Sequence, residues 1–303
     1  KKDLEKKIGK IINIEFINLG FNNSCIKISS YKGKFFLKIY ENSKVKKPLL
    51  RELSFYRSVG ELKLTPKIIK VSKKENYILF EYIEGKKIIS PTDSDLKKCI
   101  NFINKIQKFK KKFCHLASAN KLATDYFQSL NKYNEQVNLK YLSFVKKMQS
   151  NKIHPRIKNF IKYRFYPRWK KLHKNKINYK NDIKKNKLIL SPSDFTFQNI
   201  IKKKNKLFFF DFEYSGLDDP IKLISDFVYQ PHLNLNKSQI IQIINFYRKN
   251  NKFYNNKIIN NIFNITKFKW TLIQLNKFAD LSDFDQQKFE IINKYFKKKI
   301  LFN

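Results

Sequence analysis

The chain has 303 residues, 42% of them hydrophobic, and a formal net charge of +41 with a pI near 10.0, so it can bury a substantial core and is not a disordered tail. The positive field favours phosphate-bearing partners such as nucleotides, nucleic acids or anionic lipid. The lysines are nonetheless spread along nearly the whole sequence and form no localised stripe, so the charge reads first as a biased residue vocabulary, with nucleic-acid binding as a rival reading. Cys25, Cys99 and Cys114 form no CxxC pair and the four histidines lie far apart, which excludes a zinc framework and a disulfide scaffold. No apolar run approaches the roughly 18 residues of a spanning helix. KKDLEKKIGK at the start lacks a hydrophobic signal core, so a soluble, cytoplasmic protein is expected. The six glycines never fall at the spacing of a GxxxxGK[ST] or GxGxxG turn, so a bound nucleotide needs another cradle.

In chain order, residues 11–81 read as strands: IINIEFINLG, SCIKISS, KFFLKIY and NYILFEYI are short runs rich in Ile, Phe and Tyr, separated by turn signals. PLLRELSFYRSV, behind an early proline, carries helical spacing and inserts one helix among them. After EYIEGKK the texture becomes helical, over residues 93–113, 119–133, 139–149, 155–166, 238–250, 257–278 and 285–302. A hairpin interrupts it, with QNII and KLFFFDF joined by the polar turn KKKNK, and residues 174–187 look like an exposed connection. The expected fold class is α+β, with an N-terminal lobe over residues 1–85 and a mainly helical C-terminal lobe over 86–303.

LSPSDFTFQNIIKKKNKLFFFDFEYSGLDDP sets acids and amides among apolar residues. Asp194 and Asn199 enter the hairpin and Asp211 ends its second strand, so a tight hairpin returns all three to one mouth. Carboxylate and amide oxygens are the hard ligands that magnesium prefers. A D-x-x-x-x-N followed by D-F is also what phosphoryl transfer needs, with one carboxylate to orient a hydroxyl and an amide and second carboxylate to hold metal.

This segment resembles the catalytic segment of the aminoglycoside phosphotransferase and choline kinase-like small-molecule kinases, which share the protein-kinase fold. The resemblance spans about residues 18–227 and implies a two-lobe architecture, ATP and Mg2+ as cofactors, Asp194 as catalytic base, and Asn199 and Asp211 as metal ligands. It further implies Lys38, on the strand KFFLKIY, as the phosphate-binding lysine and Glu52, on the inserted helix, as its partner. Taken singly, Lys38 reads as a solvent-facing strand residue and Glu52 as a surface helix residue; their joint order is what the fold requires. NLGFNNSCIKI occupies the place of the phosphate-covering hairpin, where Gly20, Asn22, Asn23 and Ser24 tolerate tight turns. The backbone around Glu81 to Ile83 falls where the adenine ring would be received.

The sequence departs from the family pattern at Pro192, where most relatives have histidine, which puts loop geometry in doubt more than chemistry. The PSDF form resembles a bacterial subgroup often associated with surface-polysaccharide genes. After Asp211 comes Phe212-Glu213, and the next helix starts by Pro220, which leaves no room for a peptide-docking activation segment. Asp219 before Pro220 reads as a helix cap, and Asp226 as a structural polar contact. Asp280, Asp283 and Asp285, with Trp270 and Tyr229, could face a cationic acceptor; they read better as a loop and a cap of the last helix. A chain of charge +41 repels polycations, so a neutral or anionic hydroxylated acceptor is expected, a sugar or surface-polysaccharide intermediate, ahead of choline, ethanolamine or an aminoglycoside. The rival readings are a catalytically silent nucleotide-binding relative and a basic nucleic-acid-binding protein.

Overall fold

The computed structural model describes residues 2–17, 23–41, 47–149, 152–174, 187–230, 235–250 and 255–297. Two compact units form: Lys1–Tyr126 with Ile189–Asp218, and Phe127–Leu188 with Asp219–Asn303. The expected connection at 174–187 lies almost wholly outside the described residues.

The first unit starts with helix α1 (Lys2–Ile8) and strands β1 (Ile11–Ile17), β2 (Asn23–Ser30) and β3 (Gly33–Tyr40). Helix α2 (Pro48–Val59) and strands β4 (Ile68–Ser72) and β5 (Tyr77–Glu81) follow. The strands form one antiparallel sheet in the order β1-β2-β3-β5-β4. One face of it packs Ile28, Phe35, Leu37, Tyr77 and Leu79 against Ile8 and Leu4 of α1. That helix was not foreseen, because KKDLEKKI carries only two apolar residues on its buried side. Pro48 sits in the first turn of α2, where its missing N–H costs nothing.

Beyond Gly85 come β6 (Lys86–Lys87), α3 (Asp93–Gln107), α4 (Lys110–Ala117), β7 (Ile189–Ser191), β8 (Ile200–Lys203), β9 (Lys206–Phe209) and β10 (Gly216–Asp218). A Cβ on Gly85 would fall onto the Ile201 side chain and 2.7 Å from the Lys202 carbonyl, so only glycine lets the chain pass β8 this closely. Thr92 and Asp95 form a capping box at the start of α3. Lys202 bonds the same Asp95 carboxylate at 2.8 Å, and these donors, against the cost of burial, hold its pKa below the usual carboxylate value.

Two helical expectations fail here for the same reason. The predicted helix 93–113 breaks at Lys108, because the Gln107 side chain turns to exchange 2.8 Å hydrogen bonds with both backbone groups of Leu190. The predicted helix 119–133 is irregular up to Ser129, because residues 121–123 pair with Leu217 and Arg51 donates to the carbonyls of Asn120 and Leu122. Tertiary hydrogen bonds outweigh helix propensity in both places.

The second unit is helical: α5 (Leu130–Met148), α6 (Pro155–Phe160), α7 (Tyr166–Lys174), α8 (Pro220–Tyr229), α9 (Lys237–Asn250), α10 (Asn256–Asn276) and α11 (Gln286–Lys297). The expected 139–149 segment is the end of α5, which Ser129 caps. A π-helical turn, Ile161–Phe165, joins α6 to α7, so the expected helix 155–166 runs on to Lys174. Trp169, Phe165, Phe268 and Phe296 form an aromatic core. Asp219 caps α8 as read from the sequence, accepting from the amides of Ile221 and Lys222 at 2.8 and 2.9 Å. Asp226 is buried and accepts from Trp270 Nε1 at 2.8 Å, with Lys269 at 2.5 Å. Among the described residues no helix is long and apolar enough to cross a membrane.

Candidate active site

The first unit carries the charged cluster. Lys38 lies on the central strand β3, between Cys25 of β2 and Ile78 of β5. It is 5% exposed, the opposite of its single-residue reading. Its Nζ donates to Glu52 Oε2 at 2.8 Å and to Asp211 Oδ1 at 2.6 Å, and lies 3.5 Å from Glu213 Oε2. Glu52 is 1% exposed because α2 turns it inward. Its Oε2 also accepts from the Tyr40 hydroxyl at 2.7 Å, and its Oε1 from the Phe212 amide at 3.1 Å. Every acceptor position facing a donor is therefore taken, and Glu52 works as an anchor for lysine.

Burial opposes a charge on Lys38, but the Asp211 and Glu52 carboxylates outweigh it and hold its pKa well above the ordinary lysine value. Burial also pushes Glu52 up against the pull of Lys38; with three carboxylates around one ammonium, the ion pair is the state that matters near neutral pH. Burial raises the Cys25 thiol to about 11, so it offers no thiolate nucleophile at neutral pH.

Asp211 stands at the open end of the cluster, its side chain 36% exposed. Its φ of 67° is left-handed, a conformation that costs a non-glycine residue about 1–2 kcal/mol and that aspartate tolerates better than most. Glu213 is buried and accepts from Asn23 Nδ2 at 2.7 Å. Carboxylate oxygens of Glu52, Asp211 and Glu213 lie within 4.8 Å of one another. With Glu52 saturated, Asp211 and Glu213 are the pair left to face a cation. Beside them Asn23 Oδ1 is buried with no hydrogen-bond partner, an arrangement that costs about 1–3 kcal/mol unless a donor, water or cation completes it. Hard oxygens with one orphan acceptor fit a partly hydrated magnesium ion.

Asp194 and Asn199 form the second half. Asn199 Nδ2 donates to the Asp194 carbonyl at 2.9 Å and to its Oδ2 at 3.3 Å, while the Asn199 carbonyl accepts from the Phe210 amide at 3.1 Å. The hairpin β8-β9 thus ties the Asp194 loop to the residue before Asp211. Next to Pro192, Ser193, at φ 66°, braces the loop by donating through its amide to Ser191 Oγ and through its hydroxyl to Asp125 Oδ1, both at 3.0 Å.

Of the other predicted residues, Asn23 joins the cluster through Glu213, whereas the Ser24 hydroxyl turns to Glu41 at 2.9 Å. Glu81 ends β5, with its amide bonded to the Lys67 carbonyl at 2.9 Å, and Ile83 is buried two residues on. Gly20 and Asn22 lie outside the described residues. Sequence reading missed Glu213, Tyr40 and the Phe212 amide. Only Glu213 carried a signal, an acid two residues after Asp211 in a lysine-rich chain.

No family model matches this sequence, and no curated protein does. Solved structures do. Spectinomycin phosphotransferase APH(9)-Ia, in complex with ADP and spectinomycin, is 15% identical with a TM-score of 0.60, covering 98% of this chain and 92% of that one. Choline kinase from Cryptosporidium parvum Iowa II is 15% identical with a TM-score of 0.58, covering 97% and 92%. Choline kinase LicA from Streptococcus pneumoniae is 14% identical with a TM-score of 0.57, covering 98% and 97%. The chain has the protein-kinase-like α+β fold of these small-molecule kinases, as its catalytic-segment resemblance implied.

Proposed function

We propose that this protein is an ATP- and magnesium-dependent phosphotransferase acting on a hydroxyl of a small molecule. The observation that carries the reading is the buried Lys38–Glu52 pair joined to Asp211, because a lysine this thoroughly neutralised in a sheet has little purpose unless it must be held rigidly toward an anion. Residues 1–85 would hold the nucleotide, with Asn23 and Ser24 on the phosphate side; Gly20 and Asn22, proposed for the same role, lie outside the described residues. The backbone from Glu81 to Ile83 would hold the adenine, and residues 86–303 would supply the acceptor side.

In this reading Lys38 contacts the donor phosphates and Glu52 fixes it. Asp211 and Asn199 hold metal, and Glu213 is added to them on the strength of its place beside Asp211. Bound magnesium would supply charge neutralisation on the phosphates. Asp194 accepts the proton of the attacking hydroxyl, and Asn199, bonded to its carboxylate, orients it.

For the acceptor, a neutral or anionic sugar or surface-polysaccharide intermediate remains the preferred class. Of the three acids that could greet a cation, Asp280 pairs with Lys147 at 3.2 Å and Asp285 caps the last helix through the Lys288 amide at 3.0 Å, while Asp283 accepts from the Ser282 hydroxyl at 3.3 Å. The choline kinases among the solved structures favour choline or ethanolamine as the second reading. ADP release from ATP, measured across sugars, sugar alcohols, choline, ethanolamine and aminoglycosides, separates the two. Acceleration by a sugar is expected; acceleration by the amines alone would replace it, and no acceleration by any acceptor would favour a silent nucleotide binder.

A further inference from the structure

We propose a second binding site, in the second unit, for a small phosphate monoester, in the groove where α7 and the π-helical turn before it face α11. The groove follows from one proline. Pro167 has no amide to give the carbonyl of Tyr163, four residues earlier, and its ring would strike that carbonyl in a regular helix. The wider turn Ile161–Phe165 relieves the clash without ending the helix. It leaves Tyr163, Arg164, Pro167 and Arg168 on adjacent rungs of one face, opposite Asn293, Phe296 and Lys297 of α11. Between the two rows lies a cavity of about 320 Å³, at the lower end of the range that holds small ligands.

Its chemistry is that of an anion site with an apolar floor. Arg164, Arg168 and Lys297 line it with no carboxylate among the lining residues, and among the described residues none of the three makes an ion pair. Arg164 Nη1 is held by Asn293 Oδ1 at 2.7 Å, and the Arg168 guanidinium lies 5.2 Å from the Phe296 ring centre. Three cations facing one hollow repel one another, and a dianion relieves that repulsion.

Residue choice points the same way. Only six of the 65 cationic residues are arginine, so lysine is the default cation, and a guanidinium, where it is used, can serve several acceptors at once. Arg51 shows the rule, since its Nη1 serves the carbonyls of Asn120, Leu122 and Ser215 together. Arg164 and Arg168, one turn apart, present two planar forks, which match phosphate oxygens in a way that lysine cannot. Phe296 and Pro167 would cover the carbon skeleton of the ester. A short, half-open groove of this volume suits a small ester better than a polynucleotide, which needs an extended groove.

The test is calorimetric titration of the full chain with glucose 6-phosphate and with inorganic phosphate, in EDTA at two salt concentrations. One-to-one binding is expected, tighter for the ester, and unchanged in Asp211→Asn, which separates it from the proposed ATP site. Arg164→Gln and Arg168→Gln should each weaken it roughly tenfold or more, and Arg168→Lys should fail to restore it. Lys171→Gln, on the same helix outside the groove, should leave it intact, with melting curves confirming that each variant is folded. Equal binding in the arginine variants, equal affinity for inorganic phosphate, absence of saturable binding, or a steeply salt-dependent preference for long single-stranded RNA would each overturn the proposal.

Discussion

Replacing Glu52 by alanine is expected to lower the unfolding free energy by about 1–3 kcal/mol, the usual cost of leaving buried donors unsatisfied, because Lys38 keeps Asp211 at 2.6 Å as its ion-pair partner. Glu52 accepts three hydrogen bonds, from Lys38 and Tyr40 of β3 and from the Phe212 amide beyond β9, so truncation releases three donors at once. Lys38→Met should also destabilise, because it leaves the carboxylates of Glu52, Asp211 and Glu213 facing one another. The double variant Lys38→Met/Glu52→Leu should lose less than the two single variants added together, since contacting groups couple by about 0.5–3 kcal/mol. The sign of the pH dependence follows from Lys38. Its folded pKa is raised, so its contribution is complete below the ordinary lysine value and fades only as pH climbs through the raised one. Lys38 therefore adds no pH dependence to the Glu52→Ala deficit between pH 6 and 9, and a deficit that shrinks with rising pH in denaturant unfolding would report Glu52 itself, which burial raises. A loss under about 1 kcal/mol would mean that the pair behaves like a surface salt bridge.

Asp194→Ala is expected to cut phosphate transfer by about 10²–10⁴ while leaving the fold intact, the range for removing a general base. Asp194 is only half-buried, and the loop that carries it is held by Ser191, Ser193, Asp125 and Asn199. The variant should keep its melting temperature and its affinity for nucleotide, so the loss falls on kcat. Unchanged turnover would remove Asp194 from the chemistry. A loss explained by unfolding would show at once in the melting curve.

The sequence made the site legible because its members are few, differ chemically from their surroundings and stand in fixed order. Lys38 and Glu52 were each ambiguous alone, yet their order along the chain with Asp211 matches the cluster the fold assembles. Glu213 was harder to see, because its place depends on the left-handed turn at Asp211, which no spacing rule encodes. The sheet strands β2, β3 and β5 were readable from runs of Ile, Phe and Tyr, whereas β4 and α1 were hidden by lysines whose apolar stems leave little periodicity. Helix ends failed where one side chain bonds a distant backbone, as Gln107 does at Leu190 and Arg51 does at Leu122. Beside Pro192 the loop is braced through hydroxyls, those of Ser191 and Ser193.

The donor site is tested most directly by the melting temperature of wild type and Asp211→Ala with ATP plus magnesium, ATP plus EDTA, and neither, at fixed salt. The expected result is a rise in wild type that needs magnesium and vanishes in Asp211→Ala, because binding to the native state alone raises its stability. An equal rise with EDTA, or one that survives in Asp211→Ala, would mean that the basic surface merely attracts phosphate, and would contradict an ATP site built on Lys38, Asn199 and Asp211.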